Sequence, residues 1–234
     1  MRTKEDKVNG FKGFPKETVT FFEDLKKNNR KEWFEAHRKD YEQYVKRPAE
    51  DFVMAMGKKL QQLSSHFRAI PMVNQSLFRI NRDTRFSHDK TPYKTNLGIW
   101  FWEGERKRME CTGFYFHFGD GKLMLGAGMH VFSKENLARY RKAVVHQQYG
   151  PQLKKTLAAI SRKGYAVHGR HYKRVPQGFD ASHKLAEFLL YNGLSAMIEE
   201  KIPKAFYSGT IVDHAFSHFK RMYPLHQWLL KAVE

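Results

Sequence analysis

The chain is poor in cysteine, short of acidic residues relative to basic ones, and free of long apolar runs. The single cysteine, Cys111, excludes an internal disulfide framework and predicts a reducing compartment. No stretch reaches the roughly 18 apolar residues of a membrane span, and the first ten residues lack the apolar core of a signal peptide. We therefore expect a cytoplasmic protein with no membrane partner.

Several catalytic and metal-binding motifs are also missing. The sequence contains no GxGxxG after a predicted strand, no GxxxxGK[ST] and no GxSxG, which removes the main support for dinucleotide, P-loop and α/β-hydrolase sites. His214 and His218 are four residues apart, but Ala215 stands where HExxH requires glutamate. We therefore predict ordinary helix histidines and no metal site, and the sequence leaves the cofactor open.

Positive charge is abundant. The 234 residues include 42 Lys and Arg against 24 Asp and Glu, which gives a net charge of +18. A hydrophobic fraction of 41% with 15% aromatic residues is enough to build a folded core. The excess of positive charge favours phosphate-bearing partners, nucleic acid or an anionic surface, and charge alone does not choose among them.

The spacing of apolar residues changes twice along the chain. It is helical over 14–66, alternates with a period of two over 73–132, and is mainly helical again over 133–234. We therefore predict an α+β fold, in which one curved antiparallel sheet of about four or more strands packs with N-terminal and C-terminal helices. Residues 1–13 are predicted to be a flexible lead-in, residues 14–234 one domain, and Ser182 to Tyr191 a helix.

The predicted sheet has one apolar face and one face rich in glycine. A glycine inside a strand often marks a place where a ligand or another backbone comes close, so a ligand over this face and a tightly packed helix are both open interpretations. The side chains expected to project from the glycine-rich face are Arg79, Asn96, Trp100, Tyr115 and His130.

The connection between the first two predicted strands carries the densest group of functional side chains. Arginine grips phosphate or carboxylate oxygens with two hydrogen bonds, and lysine adds a mobile point charge. Asp83 and Asp89 can orient an arginine, bind a metal or act as a base. An ion-pair network that braces a long loop is the alternative. The basic and phenolic side chains of this connection are Arg79, Arg82, Arg85, Lys90, Tyr93 and Lys94.

The block FRINRDTRFSHDKTPYKTNLG, residues 78–98, closely resembles the uncharacterised domain-of-unknown-function family 2461. The opening FFEDLKKNNRKEWFEAHRKDYEQYVKRPAEDF and the segments GFYFHF and LGAGMHVF are similar to family features as well. The resemblance covers about residues 14–231 and brings no established reaction with it. It implies a signature made of Arg79, Arg82, Asp83, Arg85, Asp89, Lys90, Tyr93 and Lys94, with Arg141 and Arg174 as companions.

Three functions follow from these observations. The first is a pocket for an anion, a phosphorylated small molecule or nucleotide, built by the Arg79–Lys94 segment, with Trp100 or Tyr115 stacking on an aromatic portion. The second is a non-enzymatic nucleic-acid-binding protein, in which basic and aromatic side chains grip phosphates and stack on bases. The third is a hydrolase or phosphoryl-transfer enzyme with Asp83 or Asp89 as the base. The sequence leaves the oligomeric state open.

Overall fold

The computed structural model describes residues 10–233, so the predicted lead-in lies outside it except for residues 10–13. Within this range the helices are α1 (Lys16–Lys27), α2 (Lys31–Ala36), α3 (Arg38–Asp40), α4 (Arg47–Leu60), α5 (Lys134–Val145), α6 (Tyr149–Ser161) and α7 (Ile211–Val233). The strands are β1 (Asn96–Glu103), β2 (Thr112–Gly119), β3 (Lys122–Met129), β4 (Ala166–Arg170) and β5 (Tyr191–Lys201). No helix of residues 10–233 combines the length and apolarity needed to cross a membrane.

The N-terminal helices form where the apolar spacing predicts them. Pro15 precedes α1, and proline also occupies the first turn of α4, a position where its missing N–H costs nothing. A π-helical stretch at Tyr41–Lys46 joins α3 to α4. The buried residues of α2 and of this stretch are Phe34, Tyr41 and Val45, and the wider turn of the stretch changes which side chains face inward after Tyr41.

The sheet is antiparallel and open, with the strand order β1-β2-β3-β5-β4, which confirms the predicted α+β class. Two details of the prediction are wrong. Residues 77–80, where the first strand of the sheet is predicted, are not a regular strand, and only Leu77 of these residues forms bridges, one of them antiparallel to Ile99. The helix predicted over Ser182 to Tyr191 is only a 3-10 turn at Ala186–Leu190. It leads into the eleven-residue strand β5, which pairs with β3 on one side and with β4 on the other.

The described chain divides into two compact units. Unit 1 contains residues 10–101, 115–124 and 199–217, and unit 2 contains residues 102–114, 125–198 and 218–233. The core of unit 1 is aromatic. Phe14 stacks on Phe206 with ring centroids 4.7 Å apart, and Phe52 lies 4.5 Å from Phe116. These rings are at most 1% exposed, so unit 1 is held together mainly by buried aromatic area.

Unit 2 contains a buried polar group that sequence analysis missed. His226 of α7 is fully buried, and its Nε2 lies 2.8 Å from Oε2 of Glu103. Its Nδ1 lies 3.2 Å from the hydroxyl of Thr112. Burial lowers the pKa of His226 more than Glu103 raises it, so the ring is neutral at pH 7. The neutral tautomer that fits donates from Nε2 to Glu103 and accepts from Thr112 at Nδ1.

We expect the substitution His226→Ala to lower the free energy of unfolding by about 3 kcal/mol, because it leaves the carboxylate of Glu103 buried without this partner. Urea unfolding followed by circular dichroism measures the change. Lys231→Ala, at an exposed position of the same helix, is the matched control and should change stability by less than about 0.5 kcal/mol. A similar decrease in the free energy of unfolding in the two variants would contradict the role of His226 as the buried partner of Glu103.

Because the pKa of His226 is lower in the folded than in the unfolded chain, its contribution to stability is complete above the unfolded value and is lost as the pH falls. We therefore expect unfolding free energy to decline below about pH 6.5, the ordinary pKa of histidine. The variant His226→Gln keeps a donor and an acceptor but does not titrate. The unfolding free energy of this variant should depend less steeply on pH than that of the parent protein. Identical slopes in the two proteins would show that other groups cause the decline.

Candidate functional site

The Arg79–Lys94 segment belongs wholly to unit 1 and forms an irregular hairpin. Asn81 pairs with Tyr93 in an antiparallel bridge, and Lys94 N–H donates to the carbonyl of Ile80 at 2.8 Å. Arg82 N–H donates to the carbonyl of Pro92 at 2.9 Å. Residues 83–91 form the irregular tip. The hairpin base is therefore fixed by backbone hydrogen bonds, and the tip depends on its side chains.

Asn29, between α1 and α2, holds the base of this hairpin. Its Oδ1 accepts from the backbone N–H of Tyr93 at 3.1 Å, and its Nδ2 donates to the carbonyl of Tyr93 at 2.9 Å. The ring of Tyr93 stacks on Phe34 of α2, with centroids 4.2 Å apart. The sequence analysis missed Asn29 as a site residue because its partner lies 64 residues away, beyond the reach of any local pattern.

Arg82 and Asp89 form an ion pair across the hairpin. The guanidinium of Arg82 donates to the carboxylate of Asp89 and to the hydroxyl of Thr91. The backbone N–H of Thr91 also donates to Asp89, at 2.9 Å. The hydrogen bonds from Thr91 and Arg82 lower the pKa of Asp89 to about 2. The carboxylate is therefore ionised at every physiological pH, and Nη1 of Arg82 is already bound by Asp89 and Thr91.

Asp83 and Arg85 form a second ion pair at the exposed tip. Arg85 donates from Nε and Nη2 to the two carboxylate oxygens of Asp83, at 2.9 and 2.7 Å. These bonds lower the pKa of Asp83 to about 2. The side chain of Arg85 is 76% exposed and lies over the ring of Phe86. This arginine therefore faces solvent at the tip rather than a cavity.

The two lysines of the segment contact its own backbone. Lys90 Nζ donates to the carbonyl of Thr84 at 2.9 Å, and Lys94 Nζ donates to the carbonyl of Arg79 at 3.0 Å. Lys94 also lies 5.8 Å from the centre of the Phe78 ring. Arg79 is different, because its exposed guanidinium makes no hydrogen bond or ion pair with residues 10–233.

Two cavities of unit 1 border the hairpin, and Tyr93 lines both. The first, which we call the Arg79 cavity, has a volume of about 410 Å³. Its walls include Lys31, Phe34, Glu35, Arg38, Tyr41, Glu42, Lys46, Arg79, Ile80 and Tyr93. The second, the Arg82 cavity, has a volume of about 360 Å³. Its walls are formed by Lys26, Asn29, Arg82, Asp89, Thr91, Tyr93, Lys94, Thr95 and Asn96.

The glycine-rich face is not open at Gly98. A Cβ at this position would lie 2.8 Å from the hydroxyl of Tyr115 and 3.1 Å from the ring of Phe78. Trp100 is 7% exposed, and every residue of β1 from Leu97 to Glu103 is buried, so both faces of this strand are covered. Gly98 is therefore covered by the side chains of Tyr115 and Phe78, so of the two open interpretations of the glycine-rich face, close packing applies at this position.

Three predicted ligand-binding residues belong to unit 2: His130, Arg141 and Arg174. His130 and Arg174 are exposed. The guanidinium of Arg141 lies 4.9 Å from the centre of the Tyr172 ring. Its Nε is buried and has no hydrogen-bond partner within residues 10–233. Their place in a shared site with the Arg79–Lys94 segment stays a prediction.

The remaining histidine and cysteine candidates have polar contacts within their own units. His214 Nε2 lies 2.5 Å from Oε1 of Glu200 in unit 1. His218 Nδ1 lies 2.9 Å from the hydroxyl of Tyr165 in unit 2. Cys111 is 2% exposed, and its Sγ lies 3.5 Å from the carbonyl oxygen of Arg106. Burial of the thiol is typical of a cysteine that packs rather than reacts.

The chain matches the family model described as Conserved hypothetical protein (DUF2461) over residues 17–228. The matched range contains every residue of both cavities. The comparisons with curated proteins and with solved structures found no match.

We expect Asn29→Ala to lower the free energy of unfolding by about 1–3 kcal/mol, because the backbone N–H and carbonyl of the buried residue Tyr93 lose their hydrogen bonds to the Asn29 side chain. The measurement is urea unfolding with tryptophan fluorescence. Gln43→Ala removes an exposed amide from the neighbouring π-helical stretch and should be nearly neutral. Faster amide hydrogen exchange at Tyr93 should accompany the loss in Asn29→Ala. Unchanged exchange there would mean that Asn29 does not hold the hairpin.

Proposed function

Because the chain belongs to the DUF2461 family, whose description names no reaction, we propose from the site geometry that the Arg79 cavity binds a phosphorylated small molecule. The observation that carries the proposal is that the three arginines of the Arg79–Lys94 segment differ in their ion pairs. Arg82 and Arg85 are each paired with a carboxylate. The guanidinium of Arg79 makes no ion pair among residues 10–233, although, beyond the hydrogen bonds from Arg85, its charge contributes weakly to the lowered pKa of Asp83, and Arg79 is one of the residues that line a cavity.

The charge on the cavity wall supports an anionic ligand. The wall contains four cationic side chains and two carboxylates. Glu35 pairs with Arg38 at 2.6 Å, and Glu42 pairs with Lys46 at 2.8 Å. Lys31 and Arg79 remain without an ion pair in the described chain, which leaves about two positive charges. A phosphate monoester carries −1.5 to −2 at neutral pH and would balance them.

The apolar part of the wall supports a ligand with a ring or other apolar portion. Phe34, Tyr41, Ile80, Pro92 and Tyr93 provide it. Binding sites for small molecules combine a mostly apolar lining with a few polar groups and have volumes of about 300–1,000 Å³, a range that includes this cavity. A nucleotide or another aromatic phosphate fits both features. In this proposal Phe34 and Tyr93 take the stacking role that the sequence suggested for Trp100 and Tyr115.

The two aspartates do not support a hydrolytic or phosphoryl-transfer reaction. A general base works best when its pKa lies near the pH of the reaction. The pKa values of Asp83 and Asp89 are lowered to about 2 by their hydrogen bonds to Arg85, Thr91 and Arg82. Such carboxylates hold protons too weakly to remove one from water at neutral pH. We therefore propose binding and assign the aspartates the role of positioning the hairpin.

Thermal unfolding in the presence of phosphorylated ligands tests the proposal. A nucleoside monophosphate at about 100 times its dissociation constant should raise the midpoint by roughly 5 °C, and the unphosphorylated nucleoside should not. Arg79→Ala should abolish the shift. Arg68→Ala removes an exposed arginine of unit 1 outside the cavity and should retain it.

Inorganic phosphate and sugar phosphates extend the same measurement. Arg79→Lys keeps the charge but not the planar pair of donors, so it should recover only part of the shift. No stabilisation by any of these compounds, or an undiminished shift in Arg79→Ala, would contradict the proposal.

A further inference from the structure

Acidic residues are absent from a continuous stretch of unit 2. Residues 136–179 contain ten Lys and Arg and no Asp or Glu. Ten of the eighteen net positive charges therefore come from less than a fifth of the chain. The stretch forms α5, α6 and β4, and α6 packs against both of the others. Its charges consequently lie on neighbouring elements of one unit.

Most of these cations have no carboxylate to balance them. Arg139 pairs with Glu135 at 2.7 Å. The other nine make no ion pair within residues 10–233. Eight of the nine are exposed, and the exception is Arg141. The exposed cations are Lys142, Lys154, Lys155, Arg162, Lys163, Arg170, Lys173 and Arg174. So many like charges repel one another unless a partner supplies negative charge.

We propose that the surface formed by α5, α6 and β4, which we call the basic surface, binds the phosphate backbone of a nucleic acid. A cluster of unpaired Lys and Arg on neighbouring elements is the electrostatic feature that neutralises phosphates. A cavity of about 340 Å³ on the same unit is lined by Lys154, Lys155 and Lys184 and by no acidic residue. Three lysines around one concave site provide a place for a backbone phosphate.

Protection of a sheet edge and binding to a membrane surface account for this charge less well. Charged side chains on an edge strand such as β4 prevent unwanted pairing with other sheets. However, cations also lie on α6, which is a helix and forms no part of the sheet edge, so protection of the edge does not explain them. A membrane surface would be gripped by apolar anchors as well as by charge. The exposed large apolar side chains of the described chain all lie outside residues 136–179.

Fluorescence anisotropy with labelled single-stranded and duplex oligonucleotides tests the proposal on the full chain. The logarithm of the binding constant should fall linearly with the logarithm of salt between about 50 and about 200 mM. The double variant Lys154→Glu/Lys155→Glu should bind at least roughly tenfold more weakly at about 0.1 M salt and show a shallower slope, because two phosphate contacts are lost.

The matched control is Lys39→Glu/Lys58→Glu. It changes the net charge equally, at two exposed helix lysines of unit 1 that have no ion pair in the described chain. The control should keep nearly the parent affinity and slope. Equal weakening in the two double variants would overturn the proposal, because binding would then depend on net charge alone. Binding to anionic vesicles without binding to oligonucleotides would also overturn it.

A second variant keeps the test valid if the α6 substitutions disturb folding. Arg170→Gln/Arg174→Gln neutralises exposed positions on and after β4 and should also weaken binding and reduce the salt slope. Circular dichroism melting checks each variant. The basic surface variants should retain the stabilisation by nucleoside monophosphate that depends on Arg79, so the outcome for the basic surface is independent of the outcome for the Arg79 cavity.

Discussion

The hydrogen bonds between the side chain of Asn29 and the backbone of Tyr93 are the contact on which the candidate site depends. An asparagine side chain carries an NH₂ donor group next to a carbonyl acceptor, the same two kinds of group that a neighbouring strand would offer to Tyr93. The helix junction therefore takes the place of a strand beside the hairpin base. This contact, together with the stacking of Tyr93 on Phe34, brings the walls of both cavities to the hairpin.

The hairpin uses most of its own charge to maintain its conformation. Arg82 and Arg85 are bound by aspartates, and Lys90 and Lys94 donate to backbone carbonyls. Ion pairs that brace the loop are thus present at Arg82 and Arg85, while Lys90 and Lys94 brace it through backbone carbonyls. Such exposed pairs contribute little stability individually. Their effect here is to determine the shape of an irregular tip, while Arg79 stays available at the edge of a cavity.

The sequence predicted the α+β class, the positions of α1, α4 and α7, and the strands β1 to β3, because periods of 3.6 and 2 residues record which side of an element is buried. It did not predict β5 as a long strand or the π-helical turn at Tyr41–Lys46. The apolar run before Tyr191 predicts a helix but forms only a 3-10 turn, and β5 is a long strand because it pairs with β3 and β4, which are distant from it in sequence. A π-helical turn leaves no pattern that the 3.6-residue period detects.

By itself, the sequence determined the chemistry that is available: the concentration of arginine, lysine and aspartate at 79–94, the acid-free stretch at 136–179, and the family to which the chain belongs. Only the tertiary structure decided which of those charges are already paired. Whether an arginine meets an aspartate depends on distances of about 3 Å between atoms that are distant in sequence or placed by an irregular loop. The same is true of Tyr115 covering Gly98 and of His226 meeting Glu103. These contacts form when the chain folds, and no local pattern of residue types records them.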